Sequence, residues 1–170
     1  MKPIQLVAMT AATVTLVACQ NAPHHYKAKD LPVEAASTGV VAGMPVADLA
    51  AAQRLLSQDE TPQILNFPDA GSTTASGRIV GYQSTAYVLP IRKGQRLSVT
   101  METPSDSAYF NIQDVKDQSG TALFAGEMTS SRTATVTAPE DATYLVRPYL
   151  NRGVARRGES SNYLLKIERQ

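Results

Sequence analysis

The sequence predicts an all-β fold, an antiparallel β-sandwich of about eight short strands, set behind a removable leader and a flexible tether. From about Thr61 onward, short strand-like runs recur at regular spacing and are broken by turn residues. No stretch among them carries a convincing helical period, which argues for a sandwich or barrel rather than a mixed fold. Trp is absent and Phe scarce, so the core must rest on Val, Leu, Ile, Phe and Tyr. That supply suffices for a domain of about a hundred residues.

The first twenty residues stand outside the fold. Lys2 is followed by the apolar run "IQLVAMTAATVTLVA", which is too short for a comfortable membrane span and reads as a secretory leader over residues 1–18. The run ends at "LVAC", which resembles the lipobox of bacterial lipoproteins. There the cysteine, here Cys19, becomes the acylated anchor and the peptide before it is removed. Cys19 is the single cysteine, so no disulfide competes for it. In such lipoproteins Gln20, in place of Asp, implies sorting to the inner leaflet of the outer membrane, facing the periplasm.

Residues 19–60 read as a tether. "NAPHHYKAKDLPVEAASTGVVAGMP" is rich in Ala, Pro, Gly and small polar residues with little to bury. "PVADLAAAQRLLSQ" then offers helix formers after Pro45, and a short helix is expected there.

Residues 61–170 form the expected sandwich. "QILNF" opens it, and "PDAGSTTAS" reads as turn. "GRIVGY" and "TAYVLPI" follow, then "RKGQ" and the alternating "RLSVTME", with Leu97, Val99 and Met101 on one face. "AYFNIQDV", "ALFAG", "TATVTA", "ATYLVRPYL" and "NYLLKIE" complete the series. Pro148 donates no ladder hydrogen bond, so its run is expected to be an edge strand, bulged, or ended there.

Charge excludes one class of partner. Once the leader takes Lys2 with it, 15 basic side chains face 15 acidic ones, and a neutral chain has no field to draw it onto nucleic acid. The balance is nevertheless polarised. Residues 102–141 hold seven acids and two bases, and residues 142–170 two acids and six bases.

Catalysis lacks its parts. His24 and His25 both fall in the tether, so the β-domain has neither imidazole base nor thiol nucleophile. Lys93, Lys116 and Lys166 sit in no recognisable arrangement with a serine. The acids Asp117, Glu140 and Asp141 lie beside turn signals, where carboxylates face water. No enzyme is expected, no cofactor, and no metal, since the His pair has no second cluster at ligand spacing. Recognition remains. "NRGVARRGESSNY" gathers Arg152, Arg156 and Arg157 between two strands, with Tyr149 and Tyr163 nearby. Planar guanidinium forks suit carboxylates, and Arg and Tyr are enriched at interface hot spots.

"YLVRPYLNRGVARRGESSNYLLKI" resembles the C-terminal signature of periplasmic inhibitors of g-type (goose-type) lysozyme, and "GRIVGYQSTAYVLPIRKGQRLSVTM" resembles their upstream part. The likeness spans roughly residues 76–169. It implies a β-sandwich that blocks the lysozyme cleft, with its catalytic glutamate, by means of protruding loops. Arg152 and Arg156 match the paired arginines of the family loop and Tyr82 matches its G-Y tyrosine. Pro148 beside the loop, and Arg157, Glu159 and two serines after it, depart from the pattern. The expected function is therefore a lipid-anchored periplasmic inhibitor of g-type lysozyme. The alternative is a non-inhibitory envelope module that binds glycan or protein and resembles pre-peptidase C-terminal domains; exposed Tyr faces at Tyr82 and Tyr87 would favour it.

Overall fold

The computed structural model describes residues 43–68 and 70–170. The leader, Cys19, the His24–His25 pair and most of the tether lie outside the described residues. In chain order the elements are α1 (Leu49–Leu55), β1 (Glu60–Ile64), β2 (Gly71–Val80), β3 (Ser84–Ile91), β4 (Arg96–Glu102), β5 (Ala108–Asp114) and β6 (Phe124–Ala125). There follow α2 (Gly126–Thr129), β7 (Thr133–Thr137), β8 (Ala142–Leu150), α3 (Arg152–Arg156) and β9 (Ser160–Arg169).

The nine strands form two sheets, ordered β1-β3-β8-β5-β6 and β2-β9-β4-β7. All pairs are antiparallel except β1 with β3, where Glu60 meets Ser84 and Ile64 meets Val88 in parallel. The sandwich expected from sequence is thus present, with one parallel edge. The opening strand sits earlier than "QILNF" suggests. The turn-rich "GSTTAS" is in fact the first part of β2, zipped along its length to β9 from Gly71↔Arg169 to Val80↔Ser160. Ser and Thr read as turn residues, yet Thr fits an exposed, pleated strand well.

Alternation builds the core. Tyr87, Leu89 and Ile91 of β3, Tyr144 and Val146 of β8, and Phe110 and Ile112 of β5 face Leu97, Val99 and Met101 of β4 and Tyr163, Leu165 and Ile167 of β9. Each fully buried large apolar side chain contributes about 1.5–3 kcal/mol. Two tyrosines resolve their polar ends against each other, with the Tyr87 and Tyr163 hydroxyl oxygens 2.9 Å apart and the rings edge to face. Gly77 makes room for that pair, since a Cβ there would lie 2.5 Å from the Tyr163 hydroxyl.

A smaller cluster lies on the outer face of the five-stranded sheet. The helix expected within "PVADLAAAQRLLSQ" forms as α1, capped by Asp48, whose Oδ1 accepts the Ala51 amide at 2.8 Å. Ala51 and Ala52 pack on Ala86, Val88 and Leu145. Sequence periodicity around Leu49, Leu55 and Leu56 shows the helix but not the sheet that it covers. Beside it, Arg147 grips Glu60 through both carboxylate oxygens, Nε at 2.8 Å and Nη2 at 2.5 Å, and Ser57 donates to the same carboxylate from its amide at 3.0 Å. Burial alone would raise the Glu60 pKa, but the bonds from Arg147 and Ser57 outweigh it and hold the carboxyl below its ordinary value.

Pro148 corrects an expectation. β8 is an inner strand that runs on through Pro148, paired there with Phe110. Its ladder to β3 ends at Val146, two residues earlier, so the proline sits where one side of the strand has lost its neighbour.

The sandwich has two distinct ends. At one, Arg92 Nε donates to the Gly43 carbonyl at 2.7 Å, and Arg96 and Gln170 exchange backbone hydrogen bonds. There Arg169 is buried, donating to the carbonyls of Pro90 at 2.8 Å and Phe67 at 2.5 Å and stacking 3.8 Å from the Phe67 ring centroid. At the other end lie the β2–β3, β4–β5 and β8–β9 connections.

Candidate functional site

The β8–β9 connection, expected as a loop, is a single helical turn. Asn151 caps it, its Oδ1 accepting the Val154 amide at 3.1 Å, which the residue type alone could have signalled. Ala155 is buried in the core and Val154 packs against it, so the turn is seated on apolar contacts. Arg152 and Arg156 are spaced i, i+4, which places them on one face of that turn. Both are exposed. Among the described residues neither side chain makes a hydrogen bond or ion pair. Arg157 differs from them, since its Nε donates to Glu159 Oε1 at 2.7 Å.

Tyr82 is brought to the same place. Val80 and Gln83 close the β2–β3 turn by exchanging backbone hydrogen bonds, and the Gly81 amide donates to the Glu159 carbonyl at 2.8 Å. Gly81 has φ +59°, and a Cβ there would sit 3.3 Å from the Ala155 carbonyl oxygen. Only glycine accepts both the left-handed backbone and the close approach without strain. Tyr82 is left 52% exposed and Val80 41%, on a turn tied to the β8–β9 connection that carries Arg152 and Arg156.

Tyr149 is placed differently from the arginines that follow it. It lies on the outer face of the five-stranded sheet, half-buried, with its ring 6.4 Å from that of Tyr109. Its hydroxyl accepts the Glu127 amide at 3.2 Å and so supports α2. Burial pushes that hydroxyl above the ordinary tyrosine pKa. Tyr163, noted in sequence for its nearness to the loop, is a core residue.

Sequence reasoning missed Arg78. The alternation of β2 turns it outward, and it faces Asn162 across the ladder to β9. Its Nη2 donates to Ser160 Oγ at 2.6 Å. Three acids at this end have a cationic neighbour. Glu159 pairs with Arg157, Glu102 with Lys166, and Asp106 lies 3.7 Å from Arg132. Among the described residues Arg78, Arg152 and Arg156 make no ion pair. Among the described residues no cluster of His, Cys, Asp and Glu could hold a metal ion, and no helix is long and apolar enough to cross a membrane.

No family model and no curated protein matches the chain. Solved structures do. The chain is similar to PliG of Aeromonas hydrophila, a periplasmic inhibitor of g-type lysozyme, with a TM-score of 0.59 and 27% identity over 66% of this chain and 98% of that one. It shares its fold with PliG of Salmonella Typhimurium, also a periplasmic inhibitor of g-type lysozyme, with a TM-score of 0.51 and 20% identity over 65% of this chain and 98% of that one. The sandwich bearing the Tyr82 and Arg152–Arg156 end is thus similar, over nearly the whole of each neighbour, to inhibitors of that one kind of lysozyme.

Proposed function

We propose that this protein is a periplasmic inhibitor of g-type lysozyme that meets the enzyme's cleft with Tyr82, Arg152 and Arg156. The observation that carries the reading is the convergence of two unpaired guanidinium groups with an exposed tyrosine on a seated turn, in a fold similar to that of the A. hydrophila inhibitor. Arg152 and Arg156 are placed to donate charge-assisted hydrogen bonds to cleft carboxylates. Tyr82 and Val80 supply apolar area against the cleft wall. Blocking requires no chemistry of the inhibitor's own, which agrees with the sequence inventory. Removing one arginine of a desolvated pair costs about 2–5 kcal/mol, chiefly through a faster off-rate.

In the same reading Cys19 carries the lipid anchor and holds the protein at the inner leaflet of the outer membrane. A Cys19→Ala variant that still partitioned into membranes would refute that part. The glycan-binding alternative asks for exposed tyrosine faces at Tyr82 and Tyr87. Tyr87 is 1% exposed and bound to Tyr163, which weighs against it.

The test is lysis of a peptidoglycan suspension by goose-, chicken- and invertebrate-type lysozymes with and without the protein. Selective protection against the goose-type enzyme, lost in Arg152→Ala/Arg156→Ala, supports the proposal. No protection against any of the three overturns it.

A further inference from the structure

At the same end as the Tyr82 turn, where the start of β9 lies between β2 and the β4–β5 connection, is a cleft of about 420 Å³ lined by Arg78, Pro104, Ser105, Ser160, Ser161 and Asn162. Apart from Pro104 its lining is polar, with one guanidinium, three hydroxyls and one amide, and no carboxylate. We infer that this cleft is a carboxylate-binding subsite that takes an aspartate or glutamate side chain of the bound protein partner, outside the region met by Arg152 and Arg156.

The charge balance supports an anion. Arg78 spends one N–H on the neutral Ser160 hydroxyl, and no acid pairs with it among the described residues. The remaining donors of its fork, with the Asn162 side-chain amide and the Ser105 and Ser160 hydroxyls, match the two oxygens of a carboxylate better than a cation or an apolar group, while the Ser161 hydroxyl is spent on the Asn162 carbonyl at 3.1 Å.

The walls are held in advance. Thr103 Oγ1 lies 2.9 Å from Ser161 Oγ and donates to the Asn162 carbonyl at 2.9 Å. Arg132 fixes the opposite side by donating to the carbonyls of Ser105 at 2.7 Å and Ala108 at 3.0 Å. A pre-formed site spares its ligand the ordering cost of binding. The cleft also adjoins the proposed inhibitory surface. Ser160 follows Glu159, whose carbonyl anchors the Tyr82 turn, and Val80 and Ser160 are ladder partners. A partner seated on Tyr82 would reach it without a gap.

The inference rests on the inhibitor reading for its partner but not for its chemistry, and the experiment separates the two. The full chain is titrated with acetate, with chloride at equal ionic strength, and with N-acetylmuramic acid, while the Arg78 Nε–H and Asn162 side-chain amide resonances are followed by NMR. Saturable shifts with acetate, absent with chloride and lost in Arg78→Gln, support the site; acetate shifts no different from chloride overturn it. Much tighter binding of N-acetylmuramic acid than of acetate would make the ligand a glycan and overturn the assignment to a protein side chain. Affinity for a goose-type lysozyme is then measured for wild type, Arg78→Gln and Arg152→Ala. Arg78→Gln should weaken binding about tenfold with an unchanged melting temperature, and undiminished affinity overturns the inference. If wild type binds no lysozyme, the inhibitor proposal falls, and the acetate titration alone upholds or overturns the site.

Discussion

The amide of Gly81 bonds to the carbonyl of Glu159 at 2.8 Å, and this contact fastens the tyrosine turn to the arginine turn. Two connections distant in sequence become one surface through it. Gly81→Ala should cost about 1–2 kcal/mol from left-handed strain, with the added methyl pressing on Ala155. Inhibition should fall further than the stability loss explains, because Tyr82 is displaced. Thermal melting and lysozyme inhibition measured on the same samples check this; full inhibition would show that the turn geometry does not matter.

The three arginines should not be equal. Arg157 is tied to Glu159 in an exposed pair, and such pairs are worth no more than about 1 kcal/mol. Arg157→Ala should leave inhibition within a few-fold of wild type, whereas Arg152→Ala and Arg156→Ala each raise the inhibitory concentration at least tenfold. An inverted ranking would move the contact away from the i, i+4 face.

Deleting the residues before Glu60 should destabilise the sandwich. α1 covers Val88 and Leu145, and losing that cover returns their surface, together with that of Ala51 and Ala52, to water. The loss should be roughly 3 kcal/mol or more. Urea unfolding of the chain beginning at Glu60 and of the chain beginning at Gly43 checks it, and equal midpoints would show α1 to be dispensable.

Acid stability should depend on Glu60. Its folded-state pKa lies below the ordinary 4.5, so its contribution is complete above pH 4.5, declines as pH falls toward the folded-state value and is gone beneath it. Glu60→Gln should cost about 2 kcal/mol at pH 7 and flatten the stability profile below pH 4.5. Denaturant midpoints from pH 7 to pH 3 decide; parallel profiles would remove Glu60 from the account.

The tyrosine pair contributes to the alkaline limit. Burial raises both the Tyr87 and the Tyr163 pKa above 10.0, so their stabilisation is present below pH 10.0 and is lost as pH climbs toward the folded-state values. Tyr163→Phe leaves the buried Tyr87 hydroxyl without its partner and should cost about 1–3 kcal/mol. Tyr87→Phe should cost less, since the Tyr163 hydroxyl also bonds Thr85. The double variant should cost no more than Tyr163→Phe alone. Simple additivity in the double-mutant cycle would deny the coupling.

Much of this was legible in sequence, and the gaps have physical causes. "RLSVTME" matches β4 residue for residue because alternation marks a half-buried strand strongly, and "ATYLVRPYL" matches β8, buried on both faces over its first half, as a short run of Tyr, Leu and Val. "GSTTAS" was missed because an exposed strand of Ser and Thr has no apolar face to announce it. The arginines of the β8–β9 connection could be read as a group, but not that Glu159 takes Arg157 and frees the other two. Arg78 stayed hidden since nothing in "GRIV" tells which residues lie across the ladder. Pro148 misled because a proline in a strand signals a lost neighbour, and here the neighbour is lost on one side only.

Gly43 and Gln170 lie at the same end of the sandwich, and the Tyr82 surface lies at the other, a β2 length of about 30 Å away. The sandwich is therefore built like a brush held by its handle. A linker, a tag or a solid support joined through either of those residues grips the handle and leaves the bristles outward. Immobilised copies would present their arginine ends in one common orientation, so density on a surface could rise without the copies masking one another's working face.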